Sequence, residues 1–148
     1  MIRQYFKVLM FSSSMAMLVG VVSSWVLASL FGFDEITKNS LLARSISIPF
    51  ALILTEQVGG SISLIPLFTV ITGLVGMFCG DLILFWMKFK NRISNGAAFG
   101  NGAHAMGIAR ARQRHELEGV IASLSMIISG IIMVLFVPIV ITFMEYLL

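Results

Sequence analysis

Charged side chains are scarce in this sequence. Asp, Glu, Lys and Arg make up 11% of its 148 residues, whereas hydrophobic residues make up 58%. A soluble domain carries about 25% charged residues, so this chain could not cover a surface in contact with water. That excludes a soluble globular enzyme, a disordered chain and a nucleic-acid-binding module. The single cysteine, Cys79, lies in an apolar run and excludes a disulfide framework. An integral membrane protein in a lipid bilayer remains.

Long uncharged runs are what the sequence does contain. We predict an all-α membrane protein with three transmembrane helices at residues 8–33, 61–87 and 119–144. At about 1.5 Å per residue, each can cross a hydrocarbon core of about 30 Å. The first has the basic start of a signal peptide, but its apolar part is longer than usual and lacks an A-x-A site. We interpret it as a retained span.

Two further apolar segments, 42–57 and 94–111, differ from these spans. The uncharged part of the first would reach only about 17 Å as a helix. The second is interrupted by several glycine and asparagine residues. We therefore predict two half-helical or discontinuous segments, each entering and leaving the membrane on one side. The whole chain, 1–148, then forms one membrane domain.

The basic residues indicate an orientation. With both short segments re-entrant and the N-terminus cytoplasmic, eight of the ten basic residues lie inside, and only Lys38 and Arg44 lie outside. With both segments fully crossing, the split is five to five. The positive-inside rule favours the first arrangement, which places the C-terminus on the outer side of an inner membrane. The two half-segments then enter from opposite faces, an inverted-repeat layout typical of secondary transporters with a midplane binding site.

Small residues recur every fourth position on the spans, as in Ser12, Ala16 and Gly20. Such ridges let helix backbones approach closely in lipid, where the hydrophobic effect does not drive association. They predict packing against other helices, within this chain or in a homo-oligomer.

The first half-segment contributes three candidate site residues, Ser45, Ser47 and Pro49. Pro favours the first turn of a helix, and either serine could cap that helix. Exposed backbone N–H groups at such an N-terminus attract anions. The alternatives are therefore a solute-binding helix terminus and an ordinary capped half-helix.

The second half-segment contributes Asn101, His104 and Arg110. His104 is the only ionisable side chain between Arg92 and Arg110, and a titratable group at membrane depth is a functional hypothesis by default. It could bind a carboxylate or carry a proton, and the structural alternative is a histidine bonded to a backbone carbonyl. Arg110 could bind a carboxylate or belong to a cytoplasmic basic cluster.

Enzymatic chemistry has no support in the motifs. His115 and Glu116 lack the H-E-x-x-H spacing of a zinc protease, and no nucleophile motif is present. We expect no enzyme, no metal site and no cofactor.

Both half-segments carry motifs that resemble the LrgB/CidB family of bacterial membrane proteins. Residues 44–51 are similar to the family's K-S-V-T-T-P-I-A, and residues 99–111 to its L-G-T-A-S-H-A-x-G-T-A-R-A. Residues 57–60 and 118–124 match the shorter patterns Q-x-G-G and E-G-x-x-S-S-L. Hydroxyl-bearing side chains of the family are replaced here by Ile48, Asn101, Ala103 and Ile108. Family members are longer at the N-terminus, so the chain resembles their C-terminal two-thirds without the N-terminal spans.

The resemblance implies two functions. One is carriage of a small monocarboxylate such as pyruvate, glycolate or glycerate, with Ser45, Ser47, Asn101, His104 and Arg110 as its polar site. The other is holin- or antiholin-like control of murein hydrolase export and cell lysis, without transport. It also implies a small membrane partner of the LrgA/CidA type.

Overall fold

The computed structural model describes the backbone of residues 2–147 and the side chains of residues 5–143. Arg3, one of the basic residues used above for orientation, lies outside the described side chains. The backbone forms six helices and, within the described range, no strand: α1 (Ile2–Leu30), α2 (Glu35–Leu42), α3 (Ile48–Val58), α4 (Ile65–Trp86), α5 (Arg92–Arg114) and α6 (Glu116–Leu147). The prediction of an all-α fold is confirmed.

Three of these helices are long and apolar enough to cross a membrane. The qualifying segments are Tyr5–Leu30, Ile62–Trp86 and Glu116–Phe143. They overlap the three predicted spans. Their outer faces carry large exposed hydrophobic side chains, among them Phe11, Phe78 and Phe136, because lipid rather than water is the solvent there.

Helices α1 and α6 run alongside each other, whereas α4 packs against α5 and the segment from α2 to α3. Buried side chains of α1, including Met17 and Val21, pack with Met133 and Val137 of α6 in one apolar core. Loops 31–34 and 59–61 lie at one end of the bundle, here called the Asp34 end. Loop 87–91 and the junction at His115 lie at the other, the Lys88 end.

The segment from α2 to α3 is a helical hairpin that starts and finishes at the Asp34 end. The side-chain amide of Asn39 donates to the carbonyl of Val58 at 2.7 Å, and the amide of Ser61 donates to the hydroxyl of Ser40 at 2.8 Å. These bonds join the second half of α2 to the end of α3 and the loop after it. The turn between the arms is a short 3₁₀ segment, Ala43–Ser45. Since α2 has eight residues, that turn lies roughly 12 Å along the α2 axis from the Asp34 end.

Helix α5 is a second hairpin, based at the Lys88 end. His104 has φ 39° and ψ −125°, which breaks the helix into two arms. The arms touch: a Cβ placed on Gly107 would lie 2.1 Å from the carbonyl oxygen of Phe99. At the base, Arg92 Nη1 lies 2.6 Å from His115 Nε2. Only a glycine at 107 permits this approach of the two arms.

The two hairpin tips meet beside the middle of α4. A Cβ on Gly73 of α4 would lie 2.7 Å from His104 Cε1, and Ser47, Pro49 and His104 line one cavity. The predicted segment 42–57 corresponds to the 3₁₀ turn with α3, and 94–111 falls within α5. Arg44 was counted on the outer side of the membrane, and the structure puts it at the tip of the α2–α3 hairpin.

Candidate functional site

Helix α3 begins at the hairpin tip with its first turn uncapped by a side chain. Ser47 occupies the N-cap position and Pro49 lies in the first turn, as the sequence suggested. The Ser47 hydroxyl makes no capping hydrogen bond. Backbone N–H groups of a first helical turn have no partner within the helix, so this terminus can donate hydrogen bonds to a ligand.

A cavity of about 250 Å³ lies at this terminus, between the two tips and α4. His104 and Thr69 each expose only 3% of their surface. Nevertheless, His104 Nε2 and Thr69 Oγ1 have no hydrogen-bond partner among the residues described. An unpartnered buried polar group costs about 1–3 kcal/mol. Both side chains line this cavity, which makes these two atoms candidate hydrogen-bonding groups for a polar ligand or water there.

The rest of this cavity is apolar. Ile48, Val70 and Met106 contribute to its walls. A compact solute with a polar head and a small apolar body fits such a lining. The backbone N–H donors and the dipole at the N-terminus of α3 can bind the head, and the apolar walls can contact the body. We refer to this space as the His104 cavity.

Ser45 and Asn101 lie elsewhere, in a larger cavity of about 550 Å³ between α1 and the first arm of α5. Asn101 Oδ1 accepts a hydrogen bond from the hydroxyl of Ser13 at 3.0 Å, a buried contact that ties α5 to α1. Arg44 donates to Ser45 Oγ at 3.1 Å. Five of the six predicted site residues are therefore divided between two cavities.

Arg110 belongs to neither cavity. Its guanidinium pairs with Asp81 of α4, which also pairs with Arg114, and it donates to Gln113 Oε1 at 3.1 Å. Arg114 in turn pairs with the buried Glu118 at the start of α6 at 2.8 Å. This ion-pair network holds the second arm of α5 against α4 and α6. Asp81 is thus a structural partner of two arginines.

Two residues beside His104 were not singled out from the sequence: Thr69, which lines the cavity, and Gly73, which packs against the His104 ring. Both belong to an apolar span, where threonine and glycine are ordinary packing residues. Their spacing of four places them on one face of α4, but only the meeting of the two hairpins shows that this face borders a cavity. No sequence signal identified Thr69 as unpartnered.

The chain is similar to known bacterial proteins. The pattern of the LrgB-like family matches residues 1–143. A protein named "Holin-like protein CidB" from Staphylococcus epidermidis is 31% identical over 95% of this chain and 61% of its own length. The protein of that name from Staphylococcus aureus is 30% identical over 85% of this chain and 57% of its own. YxaC of Bacillus subtilis, named as uncharacterized, is 31% identical over 83% of this chain and 54% of its own.

The chain therefore spans about three-fifths of the length of these relatives. No solved structure matches it significantly. The family pattern covers nearly the whole chain, including both hairpins and all three spans. The chain belongs to the LrgB-like family.

Proposed function

We propose that the chain acts as a holin-like component of a bacterial inner membrane. The observation that carries this proposal is the match, over most of the chain, to two staphylococcal proteins named holin-like. In this role the protein controls murein hydrolase export and cell lysis together with a small LrgA/CidA-type membrane partner. The exposed apolar surfaces of the three long helices suit a protein surrounded by lipid and partner helices.

The proposed orientation has the N-terminus in the cytoplasm and the C-terminus outside. Seven basic side chains lie towards the Lys88 end: Lys7, Lys88, Lys90, Arg92, Arg110, Arg112 and Arg114. Lys38 lies in the first half of α2, near the Asp34 end. Arg44, which was counted outside, lies at a hairpin tip. The positive-inside bias remains without it.

A second candidate function, carriage of a small monocarboxylate, is favoured by one specific observation. His104 Nε2 and Thr69 Oγ1 are buried without a hydrogen-bond partner among residues 5–143, and their side chains line the cavity at the N-terminus of α3. A carboxylate could accept from the Thr69 hydroxyl, from backbone N–H groups and from a protonated imidazole nitrogen. Hairpins entering from opposite ends are the arrangement that gives a carrier a midplane site.

One pair of variants separates the two functions. Thr69→Val removes the unpartnered hydroxyl but keeps the shape, and Thr72→Val makes the same change on the same helix away from the cavity. In cells that also express the partner, lysis and murein hydrolase release test the holin-like role. Uptake of labelled pyruvate or glycolate tests carriage.

The holin-like role predicts that deleting the chain changes lysis while both valine variants behave like the wild type. Carriage predicts that Thr69→Val lowers apparent affinity about tenfold, the effect of losing one hydrogen bond to a charged ligand, while Thr72→Val does not. A lysis phenotype unaffected by deletion would contradict the first proposal. Equal uptake in both variants would contradict the second.

A further inference from the structure

Arg44 is a charged side chain whose partners are all neutral. Its Nε donates to Ser24 Oγ at 2.9 Å and its Nη1 to Ser45 Oγ at 3.1 Å. The Ser24 hydroxyl itself donates to the carbonyl of Gly20 at 2.7 Å, so it remains a neutral acceptor and does not balance the charge of Arg44. Among the side chains of residues 5–143, Lys38, Arg110 and Arg114 pair with carboxylates, and Arg44 pairs with none.

The charge of Arg44 persists at the hairpin tip, since a guanidinium does not lose its proton in proteins. The side chain is half-buried and lies roughly 12 Å, the length of α2, from the Asp34 end. A cation at this depth is costly unless it meets an anion or water. Its unused N–H donors on Nη1 and Nη2 require acceptors that the described residues do not provide.

The cavity beside Arg44 has space for such an acceptor. It measures about 550 Å³ and extends from Phe89 and Ile93, towards the Lys88 end, to Arg44 and Ser45 at the hairpin tip. Cβ atoms placed on two of its glycines, Gly20 and Gly102, would meet nothing within 4 Å. The hydroxyls of Ser12, Ser23 and Ser94 add polar groups to its walls.

We propose that this cavity, here called the Arg44 cavity, binds an oxyanion at the Arg44 guanidinium. The planar fork of donors matches a carboxylate or phosphate group in bidentate geometry. The anion is supplied either by a small free carboxylic acid or by a lipid headgroup reaching in from the bilayer. The site is separate from the His104 cavity and requires neither lysis control nor carriage.

The test uses the full chain in nanodiscs, with acetate as the probe at constant ionic strength set by chloride. Phenylglyoxal modifies accessible arginines, and mass spectrometry reports the rate at each one. In neutral phosphatidylcholine discs, we expect saturating acetate to slow modification of Arg44 at least fivefold, while the exposed Arg112 is unaffected. In discs with phosphatidylglycerol and no acetate, the same protection would assign the site to a headgroup.

Three variants complete the test through the acetate-induced rise of the thermal unfolding midpoint. Arg44→Gln removes the charge, and Gly20→Leu fills the open space, so each should abolish the rise. Arg44→Lys should weaken it, and Arg112→Gln should leave it unchanged. Gly20→Leu and Arg44→Lys keep the test decisive if Arg44→Gln does not fold. Equal Arg44 modification in every condition, or a rise retained in Arg44→Gln or Gly20→Leu, would overturn the proposal.

Discussion

Arg92 Nη1 and His115 Nε2 lie 2.6 Å apart although 23 residues separate them in sequence. A continuous helix would hold residues so far apart at about 35 Å. This contact therefore closes the base of the α5 hairpin, whose tip at His104 reaches the middle of α4. The segment is rich in small and polar residues because it folds back as a hairpin and does not cross the membrane as a continuous helix.

Spin labels at positions 92 and 115, in a Cys79→Ser background, measure the hairpin directly. We expect a distance well below the roughly 35 Å of a straight helix. Labels at 92 and 105 provide the calibration, because about 20 Å is expected whether or not α5 folds back. A 92–115 distance longer than the 92–105 distance would contradict the hairpin.

Two neighbouring glycines of α5 should respond differently to the same change. A Cβ on Gly100 would lie 2.2 Å from the carbonyl oxygen of Ala122 in α6, and a Cβ on Gly102 would meet nothing within 4 Å. Gly100→Ala should therefore lower the free energy of unfolding by about 1–3 kcal/mol. Gly102→Ala should be neutral or stabilising by up to about 1 kcal/mol. Denaturation in detergent compares them, and equal effects would count against the α5–α6 packing.

The backbone at His104 is strained, since φ is +39° in a residue with a Cβ. Glycine adopts positive φ without this cost, which is about 1–3 kcal/mol for other residues. We expect His104→Gly to be more stable than His104→Ala by about 1 kcal/mol, the reverse of the usual helix preference. The same denaturation assay checks this. An alanine variant as stable as the glycine variant would mean that position 104 is ordinary helix.

The pairing of Asp81 with Arg110 predicts a measurable coupling between α4 and α5. The two side chains are 28% and 40% exposed, so solvent weakens the pair without abolishing it. A double-mutant cycle with Asp81→Asn and Arg110→Gln should give a coupling of roughly 1 kcal/mol. The cycle with Asp81 and the exposed Arg112 should give about zero. Similar coupling in both cycles would show that the effect is only long-range electrostatics.

Much of the fold could be predicted from the sequence because lipid imposes simple rules. Uncharged runs revealed the three spans, and Pro49 fixed where a half-helix begins. The glycines and asparagine around His104 indicated an interruption, since such residues do not sustain a helix. These are local signals that depend on a few consecutive residues.

The composition of the site depends on contacts between distant segments, and here the sequence was less informative. Arg110 follows His104 closely in sequence, yet the second arm of α5 carries it towards the Lys88 end to meet Asp81. Arg44 was counted on the outer side because the sequence does not show where a hairpin turns. Thr69 could be identified as a cavity residue only from the contacts that both hairpin tips make with α4.

The most direct test of the account is a cross-link between the two hairpin tips. Pro49 and Ala105 are exposed and line the same cavity, so cysteines introduced there in a Cys79→Ser background should lie close together. In native membranes, we predict efficient cross-linking of Pro49→Cys with Ala105→Cys by a short bifunctional thiol reagent. The pair Pro49→Cys with Ala109→Cys, one turn further from the tip, should react more weakly. If both cysteines react with a monofunctional thiol reagent yet the Pro49–Ala105 pair forms no cross-link, the hairpin tips do not meet and the account is wrong.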